Sequence, residues 1–81
     1  MIDNKLMESL GILQEECAEV IQAISKYRRF GENNRHSVEQ EIGDMLCIVL
    51  LLEQQGFISE VGLELAVNRK LEKLKKFSNI T

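Results

Sequence analysis

The stretch Glu41–Leu52, EIGDMLCIVLLL, decides the fold. Together with Val38 just before it, Ile42, Met45, Val49 and Leu52 recur at alternating steps of four and three, which is a helical stripe. Leu46, Cys47, Ile48, Leu50 and Leu51 then cover most of the remaining circumference. A helix that is apolar nearly all round has to be enclosed on every side. Its longest apolar run, Met45 to Leu52, falls well short of the ~20 residues of a membrane span, so the enclosure has to be protein.

The flanking segments are helical as well. Leu6, Leu10, Leu13, Cys17, Val20, Ile24 and Tyr27 alternate steps of four and three, with Asp3 or Asn4 as the N-cap and Gly31 as the stop. The polar loop RRFGENNRH follows, and the second helix is expected to open at the capping box of Ser37 and Gln40 and to stop at Gly56. A third helix starts near Ser59 and carries Leu63, Val67, Leu71 and Leu74. The chain has no proline. The expected fold is all-α, an antiparallel helical bundle of three main helices. Three helices can hardly surround the second one, so the bundle is expected to be completed by oligomerisation, as a homodimer or homotetramer.

At 81 residues the chain is expected to form one domain over positions 1–81, because a second core could not be filled. Ten Lys and Arg stand against thirteen Asp and Glu, a net charge of −3 that offers no basic footprint for nucleic acid. The N-terminal MIDNKLMESL lacks the basic and apolar regions of a leader, and no segment suits a membrane. Cys17 and Cys47 sit inside apolar helical patterns and read as small buried hydrophobes in a reducing compartment. The expected location is cytoplasmic.

Carboxylates carry the functional signal. At about 100° per residue, Glu16 and Glu19 are neighbours on the side that also carries Ile12 and Ala23, while Glu15 points further out. Taken alone, EECAE is an ordinary solvated helix face. On the second helix, however, Glu41 and Asp44 share a face, and Asp44 is bordered by Cys47, Ile48 and Leu51, which reads as a buried or half-buried position. An ionised carboxylate there must be paired, for instance with Arg69 or Lys70, or bound to a cation. In the second case Glu41 and Asp44 face Glu16 and Glu19 across an antiparallel helix pair. The ligands would all be oxygen, which favours Mg²⁺ or Mn²⁺ over Zn²⁺ and suits metal-assisted phosphoryl or nucleotidyl hydrolysis.

These residues also resemble a known family. EExxE (Glu15, Glu16, Glu19), a loop, and ExxD (Glu41, Asp44) at the head of an apolar helix are similar to the MazG-like all-α nucleoside triphosphate pyrophosphohydrolases. The resemblance extends to Lys26, Arg29, Phe30 and Gly31, and to Asn68, Lys70 and Lys73 in NRKLEKL, spanning about Leu13 to Phe77. It implies Mg²⁺-dependent hydrolysis of a (deoxy)nucleoside triphosphate to the monophosphate and pyrophosphate, in nucleotide-pool control or house-cleaning. Glu16, Glu19, Glu41 and Asp44 would hold the metal, and Glu15 would be a further ligand or a water-activating base. Lys26, Arg29, Asn68, Lys70 and Lys73 would bind the substrate. The active unit in such families is a dimer or tetramer. The chain departs from larger relatives in its reduced fourth helix and in having no tryptophan, so base stacking would fall to Tyr27, Phe30, Phe57 or a neighbouring subunit.

Two other readings compete. Phosphoribosyl-ATP pyrophosphohydrolase of histidine biosynthesis shares the carboxylate arrangement, but typically follows ExxD with an aromatic and a His, where this chain has Leu46 and Cys47. A non-catalytic helical interaction module would use the carboxylates in surface ion pairs. His36 reads as a solvated loop residue, and the arginines Arg28 and Arg35 suit an exposed polar loop.

Overall fold

The computed structural model describes residues 3–81; Met1 and Ile2, the start of the stretch read for a leader, lie outside it. Three helices follow one another: α1 (Asn4–Phe30), α2 (Arg35–Gln54) and α3 (Glu60–Phe77), with a single 3₁₀ turn (Glu32–Asn34) before α2. There is no strand among the described residues. The fold is all-α.

Each helix end has a local cause. The Asp3 carboxylate accepts from the Lys5 N–H at 2.9 Å and caps α1. At the other end Gly31 takes φ +84°, where side chains are strained, and donates its N–H to the Tyr27 carbonyl at 2.8 Å. Gly56, at φ +78°, closes α2: its N–H donates to the Glu53 carbonyl and the Phe57 N–H to the Leu52 carbonyl, a Schellman arrangement. Ser59 caps α3, its hydroxyl accepting from the Gly62 N–H at 3.0 Å. One expected boundary moves. The second helix begins at Arg35 rather than Ser37, because the 3₁₀ turn feeds directly into it and the Arg35 guanidinium reaches Glu32 at 3.7 Å. Ser37 therefore lies in the first turn, and the expected capping box does not form.

α1 and α2 pack as an antiparallel hairpin. Their register is fixed near the open end by the Gln55 amide, which donates to the Ser9 hydroxyl at 2.8 Å. Leu52, 2% exposed, and Ala23, 5% exposed, are the fully buried side chains of this seam. α3 makes no comparable packing with either helix.

The result is an open shape. The radius of gyration is 15.2 Å, against about 12 Å for a compact chain of this length. The accessible surface is 6858 Å², roughly 1,900 Å² more than the scaling for compact monomers gives at 9.3 kDa. Large apolar side chains on all three helices stay exposed, among them Ile21, Leu46, Leu50, Leu65 and Val67. Cys17 and Cys47 are free thiols as expected, but exposed rather than buried, because the faces that carry them are uncovered in the single chain.

Candidate metal centre

The hairpin register brings α1 and α2 carboxylates together at mid-helix. Glu16 on α1 meets Glu41 and Asp44, one turn apart on α2, and one ligand oxygen from each lies within 4.8 Å of the others. Glu16 and Glu41 are half-buried. Asp44 is exposed, contrary to the half-buried position expected for it, since its neighbours Cys47 and Leu51 are themselves uncovered. The Glu16 carboxyl is held above its ordinary value of 4.5. Partial burial is the main cause, followed by the negative charges of Asp44, Glu41, Glu19 and Glu15.

No cation figures among those influences. The ion pairs of the described residues, Arg35–Glu32 and Lys75–Glu72, lie elsewhere, so the pairing of Asp44 with Arg69 or Lys70 is not formed. The donor set fits a hard divalent cation. Oxygens around one octahedral Mg²⁺ stand about 3–4 Å apart, and the three side chains already hold ligand oxygens within 4.8 Å of one another. A cation would also remove the mutual repulsion that raises Glu16.

Glu19 is exposed and outside the tight trio, but it joins Glu41 in lining a cleft of about 160 Å³ that runs toward the α1–α2 turn. Gln22, Lys26, Asn34 and Ser37 complete its walls, and the buried Ala23 lies among them. Glu15 is exposed and contributes the weakest of the four charges acting on Glu16. Of the substrate-binding candidates, Lys26 is thus beside the carboxylates. Arg29 is exposed on the last turn of α1 and does not line the cleft. Asn68, Lys70 and Lys73 are exposed on α3, which the single chain does not pack against the hairpin.

The MazG nucleotide pyrophosphohydrolase domain model matches residues 5–79. The chain belongs to this family. No curated protein and no solved structure matches it. In this MazG domain Glu16, Glu41 and Asp44 all fall within the matched span.

Sequence reasoning missed Gln22, Asn34 and Ser37. The signal was present for two of them: Gln22 is three residues after Glu19, and Ser37 four before Glu41, so each shares a helix face with a carboxylate. The aromatic candidates lie off this face. Tyr27 lines a different, largely apolar cleft with Arg35, Val38 and Ile42. Its hydroxyl donates to Glu32 at 2.7 Å, and that hydrogen bond, with the Glu32 charge behind it, raises the phenol above its ordinary value. Phe30, the last residue of α1, and Phe57, between α2 and α3, are exposed. No helix of the described residues is long and apolar enough to cross a membrane.

Proposed function

We propose that this MazG domain hydrolyses (deoxy)nucleoside triphosphates to the monophosphate and pyrophosphate with Mg²⁺, and that it works as a homo-oligomer in nucleotide-pool control or house-cleaning. The observation that carries the reading is the meeting of Glu16, Glu41 and Asp44 at the hairpin seam. Mg²⁺, or Mn²⁺, held there would neutralise phosphate charge and make a water molecule easier to deprotonate.

The chain's own residues do the rest. Glu16, Glu41 and Asp44 supply the ligand oxygens, and Glu19 extends the acidic rim into the cleft. Glu15, on the solvent side, is a further ligand or accepts the proton of the attacking water. That water's oxygen bonds to the α-phosphorus, the α–β anhydride bond breaks, and pyrophosphate leaves with the bonding electron pair. Lys26 and Arg29 would offset phosphate charge at the turn. Asn68, Lys70 and Lys73 would do so from a neighbouring subunit's α3 or after α3 closes on its own hairpin.

The case for an oligomer rests on area. Roughly 1,900 Å² of excess surface per chain is more than twice the about 800 Å² per partner of a standard interface, and is the scale of obligate assemblies. The test of the activity is pyrophosphate release from a panel of standard and modified nucleoside triphosphates, with and without Mg²⁺, for the wild type and Asp44→Asn. Release that requires Mg²⁺ and falls at least about a hundredfold in the variant supports the reading. Release from phosphoribosyl-ATP alone would replace the substrate class, and release from none would leave the carboxylates without a reaction.

A further inference from the structure

The cleft beside the carboxylates has a chemistry of its own. We propose that it is the subsite for the pyrophosphate half of the substrate, held by Lys26, Asn34, Ser37 and Gln22, so that the nucleoside lies at the opposite end of the carboxylate trio. The assignment rests on the hydrolase reading above and adds to it the direction in which the substrate lies.

Four observations converge. First, the cleft is continuous with the trio, because Glu41 belongs to both. A group seated in the cleft is therefore adjacent to whatever the trio binds. Second, beside the carboxylates of Glu19 and Glu41 its walls offer the Lys26 ammonium, the carboxamides of Gln22 and Asn34 and the Ser37 hydroxyl, and no aromatic ring. Those groups donate to phosphate oxygens, and nothing there stacks on a base. Third, these donors are uncommitted. None of the four side chains takes part in a side-chain hydrogen bond among the described residues, and Asn34 stands at the N-cap of α2 without capping it. Fourth, about 160 Å³ is well below the roughly 300 Å³ at which whole small-molecule sites begin, so the cleft takes part of a nucleotide.

The other end of the trio has the opposite character. One turn beyond Asp44 come Cys47 and Ile48, and one turn before Glu16 comes Ile12. An apolar flank suits a nucleoside and repels a phosphate tail. With the α-phosphorus at the trio, the α–β bond breaks toward the turn, and the departing anion is already among its donors. Glu19 and Glu41 line the same cleft and would repel the anion unless a divalent cation held by the carboxylates offset their charge, so occupancy of the cleft would depend on Mg²⁺.

The experiment is direct binding of inorganic pyrophosphate in Mg²⁺ by calorimetry, alongside product inhibition by pyrophosphate and by the nucleoside monophosphate. The chains compared are the wild type, Asn34→Ala, Ser37→Ala, Ser37→Asp and Ser37→Thr, each checked for helical content. Loss of one charge-assisted donor is expected to weaken pyrophosphate about tenfold in each alanine variant. The aspartate should weaken it further, the threonine should retain it, and monophosphate inhibition should stay within about twofold, as expected for a group that never touches the cleft. Unchanged pyrophosphate affinity in both alanine variants overturns the subsite, and so does a loss confined to the monophosphate. Calorimetry needs no turnover. A wild type that hydrolyses no triphosphate but loses pyrophosphate affinity in the variants would retain the subsite and sink the hydrolase reading; turnover with unaltered pyrophosphate binding would do the reverse.

Discussion

Replacing Val67 by Asp separates a helix that belongs to solvent from one that a second copy covers. Val67 lies on the α3 stripe with Leu63, Leu71 and Leu74 and is 56% exposed in the single chain. If nothing covers it, the change is a surface substitution within about 0.5 kcal/mol, and valine and aspartate differ little in helix propensity. If a second copy covers it, two losses add. Roughly half of the valine transfer energy, about 1 kcal/mol, is forfeited. An unpaired carboxyl then enters an apolar contact at a cost of at least about 2 kcal/mol. A two-fold interface repeats both, for about 6 kcal/mol per dimer, or roughly four decades in Kd. Sedimentation equilibrium and thermal melts over a wide range of concentration read the outcome. The wild type should assemble and melt higher as concentration rises, whereas the variant should stay monomeric with a lower, concentration-independent melt. A wild type that is monomeric throughout, or a variant that assembles as the wild type does, would refute the reasoning.

Three further outcomes follow from named residues. Leu52→Ala removes the most buried side chain of the hairpin and should cost about 2–5 kcal/mol, measured by urea unfolding at fixed protein concentration. Gly31→Ala meets no neighbouring atom but forces a side chain to φ +84°. It should cost about 1–3 kcal/mol and also weaken Mg²⁺-dependent turnover, since the turn sets the α1–α2 register. In EDTA, the stability contributed by Glu16 should be complete at pH below its ordinary 4.5 and should be lost as pH rises through its raised value. Near neutral pH, Mg²⁺ at a hundred times its Kd should then restore about 2.7 kcal/mol. A melting temperature indifferent to Mg²⁺ there would argue against a cation at the trio.

What the sequence made legible was local or periodic. Asp3, Gly31 and Ser59 end their helices through hydrogen bonds to residues a few positions away, so the letters suffice. Glu16, Glu41 and Asp44 could be placed face to face because helical periodicity and a short turn leave an antiparallel pair little choice. The start of α2 was misread because ENN forms a 3₁₀ turn that removes the need for a cap at Ser37. Burial was the harder quantity. Cys17, Cys47 and Asp44 sit in patterns that demand cover, and the pattern states the demand without saying which surface meets it. The hairpin does not meet it, and neither does α3. Asn34 carried no periodic signal at all, since it enters the cleft only through the geometry of the turn.

The carboxylates also bear on why the hairpin closes. Along α1, Ala23 is about 10 Å from Glu16, and along α2, Leu52 is about 12 Å from Asp44, on the opposite side of the trio. The two fully buried residues of the seam therefore bracket a cluster of like charges. Packing at either end pulls the helices together, while the trio between them pushes apart. A cation in the trio turns that repulsion into attraction, so ligand binding and hairpin closure draw on the same contact. The small side chain at position 23 completes the arrangement. A larger one would crowd the seam at a cost of about 1–3 kcal/mol and would fill the cleft that leads from the carboxylates to the turn. Ala23→Leu should accordingly leave the helix pair folded while lowering pyrophosphate affinity. An Ala23→Leu protein that binds pyrophosphate as the wild type does would place the substrate outside the cleft.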